Sequence, residues 1–290
     1  MKKLRILGPV LAGFVAAGVT ACSAPERARE GSDAPTIVSL NPCIDAILVE
    51  VARPEQILAL SHYSSDPKAT SMDVARAREY GVTGGTAEEI IALEPDIVLA
   101  SSFLAPATRN ALERLGVKVE TFGNPKSVEE SQAQVSSIAR IVGDGSEGST
   151  LRQEMEHRFW PPFFLPSSRL KEPDFGPDPS AMLWQTGQIV PGENQLVSQL
   201  IRESGFSDHA AAIGLSQGEY VSLEQVISNP PDILFIAGDS VGQVHPALEA
   251  VEGMRVFPLP AQAFYCGGPS IFYVRDWLAL ARNPQTWAQE

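Results

Sequence analysis

The sequence has few of the residues that most often carry metal or nucleophilic chemistry. Its 290 residues include three cysteines and four histidines. A bare zinc or manganese site needs three or four converging ligands. The histidines share no such spacing, and they are His62, His157, His209 and His245. HExxH and paired His/Cys motifs are also absent. We therefore expect neither a metal site nor a resident cofactor.

Basic residues are scarce as well. The chain has 22 Lys and Arg against 35 Asp and Glu, a formal net charge of −13. Three of the basic residues, Lys2, Lys3 and Arg5, lie at the extreme N-terminus, so the rest of the chain is more acidic still. Because an acidic surface repels phosphate backbones, nucleic acid is not expected as a partner.

The N-terminal apolar run, Ile6–Thr20, is too short for a durable transmembrane span, and it follows a basic start. Residues 1–21 are therefore predicted to be a signal peptide. The last residues of this segment and Cys22 resemble a bacterial lipobox, in which the cysteine carries the lipid. Residues 22–35 would then be a tether that holds a periplasmic lipoprotein at the membrane surface. Ordinary secretory cleavage near Ala21 is the alternative.

One helix–strand unit occurs twice in the chain. Residues 86–101, TAEEIIALEPDIVLAS, align without a gap with residues 222–237, SLEQVISNPPDILFIA. The first residue of each copy is a predicted N-cap, and Glu89 and Gln225 are expected to complete capping boxes. Proline then ends the helix, and a short apolar run typical of a buried parallel strand follows. The repeat predicts two similar α/β lobes.

Glu88 and Glu224 occupy matching positions in this repeat, and neither is needed for the unit to fold. A carboxylate at the second helical position is stabilised by the helix dipole, by about 0.3–1 kcal/mol. That is the simpler interpretation. The other is that two matched lobes each present one acid to a common partner.

The order of elements predicts an α/β fold with two lobes. Strand-like and helical segments alternate over residues 36–126, as in parallel sheets, and again over residues 181–290. Residues 127–160 are predicted to form a linking helical segment with a glycine-rich interruption at 143–148. Residues 161–180 are proline-rich and read as a connector without an assigned role.

Four stretches, in this order, resemble the substrate-binding proteins of ATP-binding-cassette (ABC) importers for cobalamin and iron chelates. They are TIVSLNPCIDAILVEV at 36–51, LALSHYSSDP at 58–67, GGTAEEIIALEPDIVLAS at 84–101 and the block 181–237. The resemblance implies two Rossmann-like lobes joined by one long helix, with a ligand in the cleft between them. It also implies that a monomeric chain delivers a metal chelate, cobalamin or a ferric siderophore, to an inner-membrane ABC permease. Glu88 and Glu224 would dock onto arginines of that permease.

The resemblance further suggests which side chains hold the ligand. Tyr63 matches an aromatic position of cobalamin-binding members, whereas Val82 and Gly218 stand where those members have tryptophans. Tyr220 lies close to Gly218 and is expected to substitute. Aromatic rings give a bulky ligand a large contact area. The expected ligand-binding residues are Tyr63, Trp184, Gln185, Tyr220 and Tyr265, with ordinary packing as the alternative for each ring.

Other polar residues are less favoured as ligand contacts. His62 could coordinate a metal centre, but a solvated loop histidine is the preferred interpretation, and the remaining histidines are expected at the surface. Arg275 could meet an anionic ligand, but a position on the helix surface is preferred. Because no cluster of arginines is evident, a neutral or weakly charged ligand is favoured.

Cys43 and Cys266 leave three interpretations open. They could pair in an exported protein, contact a metal chelate, or be small buried residues. The last is favoured, because a bridge across the cleft would hinder opening. The alternative function is an exported α/β enzyme in which one of these cysteines works with His62. The leading interpretation is a binding protein without catalytic activity.

Overall fold

The computed structural model describes residues 34–143, 145–157 and 178–282. The predicted signal peptide, the lipidation of Cys22, and most of the tether and of the proline-rich connector lie outside these residues. Within the described ranges, no helix is both long enough and apolar enough to cross a membrane.

The first sheet has five parallel strands in the order β3-β2-β1-β4-β5. They are β1 Ile37–Ser39, β2 Ile57–Ser61, β3 Val82–Thr83, β4 Ile97–Ser101 and β5 Lys118–Phe122. The central strands β1 and β4 are almost entirely buried, as parallel strands covered on both faces must be. The helices that accompany them are α1 Pro42–Val51, α2 Val74–Ala77, α3 Ala87–Ala92 and α4 Pro106–Arg114.

The described part of the linking segment is two helices, where the resemblance implies one long helix. The first, α5, spans Val128–Val142 and ends at Gly143, whose φ of 80° is a left-handed C-cap. The second, α6, spans Gly145–His157 and packs against α5 and α1. Gly148 approaches Ala139 so closely that no side chain fits at position 148. The glycine-rich interruption therefore lets the chain fold back on itself.

The second sheet has six strands in the order β11-β10-β6-β7-β9, with β8 paired to β6. Strands β6, β8, β10 and β11 pair in parallel, whereas β7 and β9 are antiparallel additions. The strands are β6 Ser180–Gln185, β7 Ile189–Val190, β8 Ser207–Asp208, β9 Glu219–Tyr220, β10 Ile233–Ala237 and β11 Arg255–Pro258. The helices are α7 Leu196–Glu203, α8 His209–Ala212, α9 Leu223–Ser228 and α10 Ser270–Arg282.

The predicted repeat is confirmed, because α3 leads into β4 as α9 leads into β10. The match extends to one set of hydrogen bonds. Asp96 Oδ2 accepts from the backbone N–H and the hydroxyl of Thr36, both at 2.7 Å. Asp232 Oδ2 accepts the same two bonds from Ser180, at 2.7 and 2.8 Å. Each aspartate thereby ties the start of its own strand to the start of the neighbouring strand.

Both predicted N-caps are present, and the capping boxes differ. The hydroxyls of Thr86 and Ser222 accept the N–H groups of Glu89 and Gln225, respectively. Gln225 completes its box by accepting the Ser222 N–H at 2.8 Å. The Glu89 carboxylate reaches further back and accepts the Gly84 N–H at 2.7 Å, so it holds the loop that precedes the helix.

One apolar core connects the two sheets. Val135 and Ile138 of α5 are fully buried, and they belong to the same cluster of packed side chains as Ile37 of β1 and Phe235 of β10. Separate clusters cover the opposite face of each sheet. Both sheets therefore bury one face against shared helices.

Candidate functional site

The carboxyl edges of the two sheets meet at a disulfide. Cys43 lies in the first turn of α1, just after β1, and Cys266 follows β11 through a 3-10 turn at Ala261–Phe264. Their sulfurs are bonded, and their Cα atoms are 5.2 Å apart. In open α/β sheets, ligands bind outside the carboxyl ends of the strands. The disulfide therefore marks the place where two such edges approach each other.

The preference for two separate buried cysteines was wrong. The two cysteines are 223 residues apart in the sequence, and no local pattern indicates that their loops meet. The loop of Cys266 packs directly on the linking helix α5 and on α1. The Gly268 N–H donates to the Ser131 hydroxyl of α5 at 2.6 Å. A side chain at position 268 would collide with Ile47 of α1. These contacts place Cys266 beside Cys43.

Strand β2, the neighbour of β1, ends in a short 3-10 turn at His62–Ser65 that carries Tyr63. The Ser61 hydroxyl accepts the Tyr63 N–H at 3.3 Å. The Tyr63 side chain is 50% exposed, and its ring lies against that of His62 with the centroids 4.0 Å apart. The turn therefore presents both rings at the sheet edge.

A buried carboxylate supports this turn. Asp45 of α1 is fully buried, and its Oδ2 accepts the Ser61 N–H at 2.9 Å and the Ser64 hydroxyl at 2.6 Å. Burial raises the pKa of Asp45 to about 7, although the hydroxyls of Ser39 and Ser64 and the Ser61 N–H act to lower it. Sequence reasoning did not single out this residue. Its signal was an acid between Ile44 and Ala46, within an apolar helix.

Three expected ligand residues of the second sheet lie at different distances from the disulfide. Tyr265 is adjacent, with its backbone oxygen 3.6 Å from Cys43 Sγ, and its side chain is exposed. Gln185 ends β6 and is partly buried. Tyr220 is exposed on β9, and four strand spacings, about 19 Å, separate β9 from β11. Tyr220 is therefore remote from the end of the sheet that carries Tyr265.

The expectation that Trp184 contacts ligand requires correction. The ring is fully buried in the core of the second sheet, and its Nε1–H donates to the Val221 carbonyl at 2.9 Å. The Gln243 side chain donates to the Trp184 carbonyl at 2.7 Å. Side chains alternate between the faces of a strand, and the strand pattern AMLWQ could not show that position 184 faces the core.

Three exposed apolar side chains at the same edges were not expected. Phe103, two residues after β4, is 82% exposed, and Val241, after β10, is 83% exposed. Val244 of the same loop is also exposed. Strand β4 neighbours β1, and β10 neighbours β11, so these side chains flank the strands that lead to the disulfide. The sequence could have indicated these loops, because they follow β4 and β10, the two strands of the repeat.

Glu88 and Glu224 are exposed at the second position of α3 and of α9. The pKa of Glu224 is lowered, first by its own backbone N–H and then by the Ser222 hydroxyl. Each acid lies three residues before an isoleucine, Ile91 or Ile227, that is 36% exposed. Residues three apart on a helix are surface neighbours. Each lobe therefore presents an acid beside an apolar side chain.

This pair of residues stands out within the repeat. Five positions are identical in the two copies, and they are Glu88/Glu224, Ile91/Ile227, Pro95/Pro231, Asp96/Asp232 and Ile97/Ile233. The fold accounts for three of them: the proline follows the helix, the aspartate ties two strands, and the last isoleucine is buried in the strand. The exposed Glu and Ile neither end the helix, tie two strands nor lie in a buried strand.

Two residues expected at the surface are buried. Arg275 of α10 is 8% exposed and lies 3.7 Å from the Glu203 carboxylate; burial lowers its pKa to about 10. His209 is also 8% exposed, and its Nε2 lies 3.0 Å from the Asn229 carbonyl. Both side chains are buried beside a polar partner, as buried polar groups usually are.

The sequence also contains a Gly-x-Ser-x-Gly string, GLSQG at 214–218, that bears on the enzyme alternative. In α/β-hydrolases this motif is a sharp turn between a strand and a helix. Here Ser216 is exposed in the irregular connection between α8 and β9. The string therefore lacks the geometry of a nucleophile elbow.

The described residues contain no group of three or more His, Cys, Asp or Glu side chains that could hold a metal ion. The edge around the disulfide instead offers aromatic and aliphatic surface with a few polar groups. Such a lining suits a bulky ligand that carries its own polar or metal centre.

Comparison with known proteins gives the family. A family model described as "Periplasmic binding protein" matches residues 37–255. A "Cobalamin-binding protein" of Halobacterium salinarum (strain ATCC 29341 / DSM 671 / R1) is 22% identical over 236 residues, which cover 80% of this chain and 59% of the relative. The chain thus spans about three fifths of that relative's length.

Solved structures share the fold. A possible iron-binding (periplasmic solute-binding) protein from Staphylococcus epidermidis ATCC 12228 is 17% identical, with a TM-score of 0.65 and coverage of 84% of this chain and 98% of the other. A periplasmic heme-binding protein from Pseudomonas aeruginosa is also 17% identical, with a TM-score of 0.64 and coverage of 86% and 93%. The predicted two-lobe α/β fold is confirmed, and the chain belongs to the periplasmic binding protein family.

Proposed function

We propose that this chain captures a metal chelate outside the cytoplasm and delivers it to the permease of an ABC importer. The observation that carries the proposal is the meeting of two sheet edges at the Cys43–Cys266 bridge, with exposed apolar side chains around it. The chelate classes are cobalamin, haem and ferric siderophores, in keeping with the names of the relatives.

Within this proposal, the primary ligand contacts are Tyr63 and Phe103 on the first sheet and Tyr265 on the second. Val241 and Val244 extend the apolar surface, and Gln185 offers a polar group at the end of β6. Tyr220 contacts only a ligand large enough to reach β9. A large aromatic surface with few charges favours a bulky amphipathic chelate over a small ion.

Delivery to the permease is assigned to the matched pairs Glu88 with Ile91 and Glu224 with Ile227. Exposed ion pairs contribute only about 0–1 kcal/mol each, so the acids would act mainly by orienting the complex and speeding encounter. The isoleucines would add apolar contact beside each ion pair. A partner that fits has two equivalent basic sites, one for each lobe.

The N-terminal sequence completes the proposal. Cleavage before Cys22 and lipidation of its sulfur would anchor the chain to the membrane surface near the permease, as a monomer on a polar tether. Mass spectrometry of the protein from its native membrane tests this point, because a lipidated Cys22 adds the mass of its acyl groups and an ordinary cleavage adds none.

The experiment that tests the function is a titration of the purified, ligand-free protein with cyanocobalamin, haemin and a panel of ferric siderophores. We expect one of them to bind with a Kd below about 10 μM, which corresponds to roughly −7 kcal/mol. All three classes absorb visible light, so absorbance of the protein as purified gives independent evidence. Absence of binding to every class would reject the proposal.

The alternative of an exported Cys/His enzyme is less well supported. With Cys43 and Cys266 in a disulfide, neither sulfur is available as the thiolate that nucleophilic catalysis requires. The family match is to binding proteins. Turnover that disappears when both cysteines are replaced would favour the enzyme.

A further inference from the structure

Within the described residues, Asp45 is a buried acid that neither the fold nor the proposed function accounts for. Asp45 is fully buried on α1. The influences on its ionisation are burial and the groups of three serines, and they include no positive charge. Burying a carboxylate without a cation is unfavourable. A neutral side chain at this position would avoid that loss, so the carboxylate calls for an explanation.

Two hydrogen bonds join Asp45 to the turn that follows β2. A single oxygen, Oδ2, accepts both the Ser61 N–H at 2.9 Å and the Ser64 hydroxyl at 2.6 Å. These two residues bracket His62 and Tyr63 in the 3-10 turn. The carboxylate therefore hydrogen-bonds to the residues immediately before and after the exposed rings of His62 and Tyr63.

We propose that ionised Asp45 is a positioning residue that holds the Tyr63 turn in its ligand-competent form. This inference rests on the proposed function, because it assigns to Asp45 the placement of a proposed ligand contact. Hydrogen bonds to a carboxylate are shorter and stronger than those to a neutral acid. Protonation of Asp45 weakens both hydrogen bonds at once. The turn then becomes less well ordered, and the affinity for ligand falls.

Several titratable groups lie around this turn. Asp66 is its C-cap, and α2, which packs against the turn, carries Arg76 and is capped by Asp73. His62 and Tyr63 lie on the turn itself. Tyr265 approaches from the loop of the second sheet through Cys43, and the two bonded cysteines do not titrate. Because His62 is an ionisable side chain on the turn itself, it must be replaced in a control.

The first test needs no ligand. In NMR spectra of the full protein, the backbone amides of Ser61 and Tyr63 should shift as pH falls through about 7. In Asp45→Asn both amides should be unresponsive, whereas in His62→Gln they should still titrate. Amide shifts that vanish in His62→Gln but persist in Asp45→Asn would overturn the proposal.

The second test is the pH profile of affinity, measured with cyanocobalamin, haemin or whichever ferric siderophore the wild type binds. Wild type should bind about three- to fivefold more weakly at acidic than at alkaline pH, because two charge-assisted bonds become neutral. At every pH, Asp45→Asn should bind as weakly as the wild type does at acidic pH. A purely structural role would lower stability and leave the slope of the profile unchanged.

Ser64→Ala covers the case in which Asp45→Asn does not fold. It keeps the carboxylate but removes a hydroxyl that lowers the pKa of Asp45, so the midpoint of the profile should move to higher pH. An unmoved midpoint would contradict the proposal. If wild type binds none of the chelates, the proposed function fails, and the NMR titration still decides whether Asp45 governs the turn.

Discussion

Cys43 and Cys266 join the first turn of α1 to the loop after β11, so a single covalent bond connects the carboxyl edges of the two sheets. The closed loop contains most of the chain. In the chain-entropy account, a cross-link stabilises the folded state by restricting the unfolded one, and the effect grows with loop length.

Replacing both cysteines by serine should therefore destabilise the protein by about 2–5 kcal/mol. The measurement is denaturant unfolding of Cys43→Ser/Cys266→Ser against oxidised wild type, with reduced wild type as the matched control. We also expect faster release of a bound chelate, because the sheet edges are no longer tied. Equal stability of all three forms would show that the bond adds nothing to a preformed contact.

Neutralising the matched acids should separate delivery from capture. In Glu88→Gln/Glu224→Gln, the chelate Kd should be unchanged, while stimulation of ATP hydrolysis by the permease in nanodiscs should fall about tenfold, since each exposed pair contributes about 0–1 kcal/mol. Glu113→Gln/Glu252→Gln makes the same charge change at exposed positions outside the repeat. If stimulation of ATP hydrolysis falls equally in this control, the overall charge and not the position of the acids is responsible.

Trp184→Phe should affect stability and not ligand binding. The change keeps an aromatic ring in the core but removes the Nε1–H bond to the Val221 carbonyl. Leaving that buried acceptor unsatisfied should cost about 1–3 kcal/mol in the free energy of unfolding. Thermal unfolding and a chelate titration on the same sample give both quantities. If the variant loses chelate affinity but keeps its stability, Trp184 contacts the ligand after all.

Asp45 should give the folded protein a distinctive pH dependence. Because its pKa is raised from 3.8 to about 7 in the folded state, the folded protein holds a proton that the unfolded chain has released. Stability from this group is therefore present below about pH 4 and is lost as pH rises towards 7, by on the order of 4 kcal/mol. Asp45→Asn should lack this decline. Denaturant unfolding of both proteins across this range measures the difference, and parallel curves would contradict the assignment.

Much of the fold could be predicted from the sequence because its signals are local. Capping residues, prolines and apolar runs define α3, β4, α9 and β10, and the repeat then places Glu88 and Glu224 in equivalent positions. The place of Tyr63 in a loop at the end of β2 was predicted because a recognisable strand precedes it, whereas its role as a ligand contact is an expectation from the family resemblance. These inferences depend on neighbouring residues in the chain and not on which elements pack together.

The remaining features depend on tertiary packing. The sequence shows that Trp184 lies in a strand but not which face is covered, and Arg275 and His209 raised the same difficulty on helices. The bond between Cys43 and Cys266 depends on where two distant loops meet. Phe103 was missed because an exposed ring in a loop has no periodic pattern around it.

The apolar core shared by β1, α5 and β10 has a consequence for how the molecule comes apart. If either half unfolds, apolar side chains of the other half become exposed to water. Calorimetry should therefore record a single cooperative unfolding transition, with equal van't Hoff and calorimetric enthalpies. A fragment ending before α5 would expose the face that Val135 and Ile138 now cover, and it should aggregate when expressed alone.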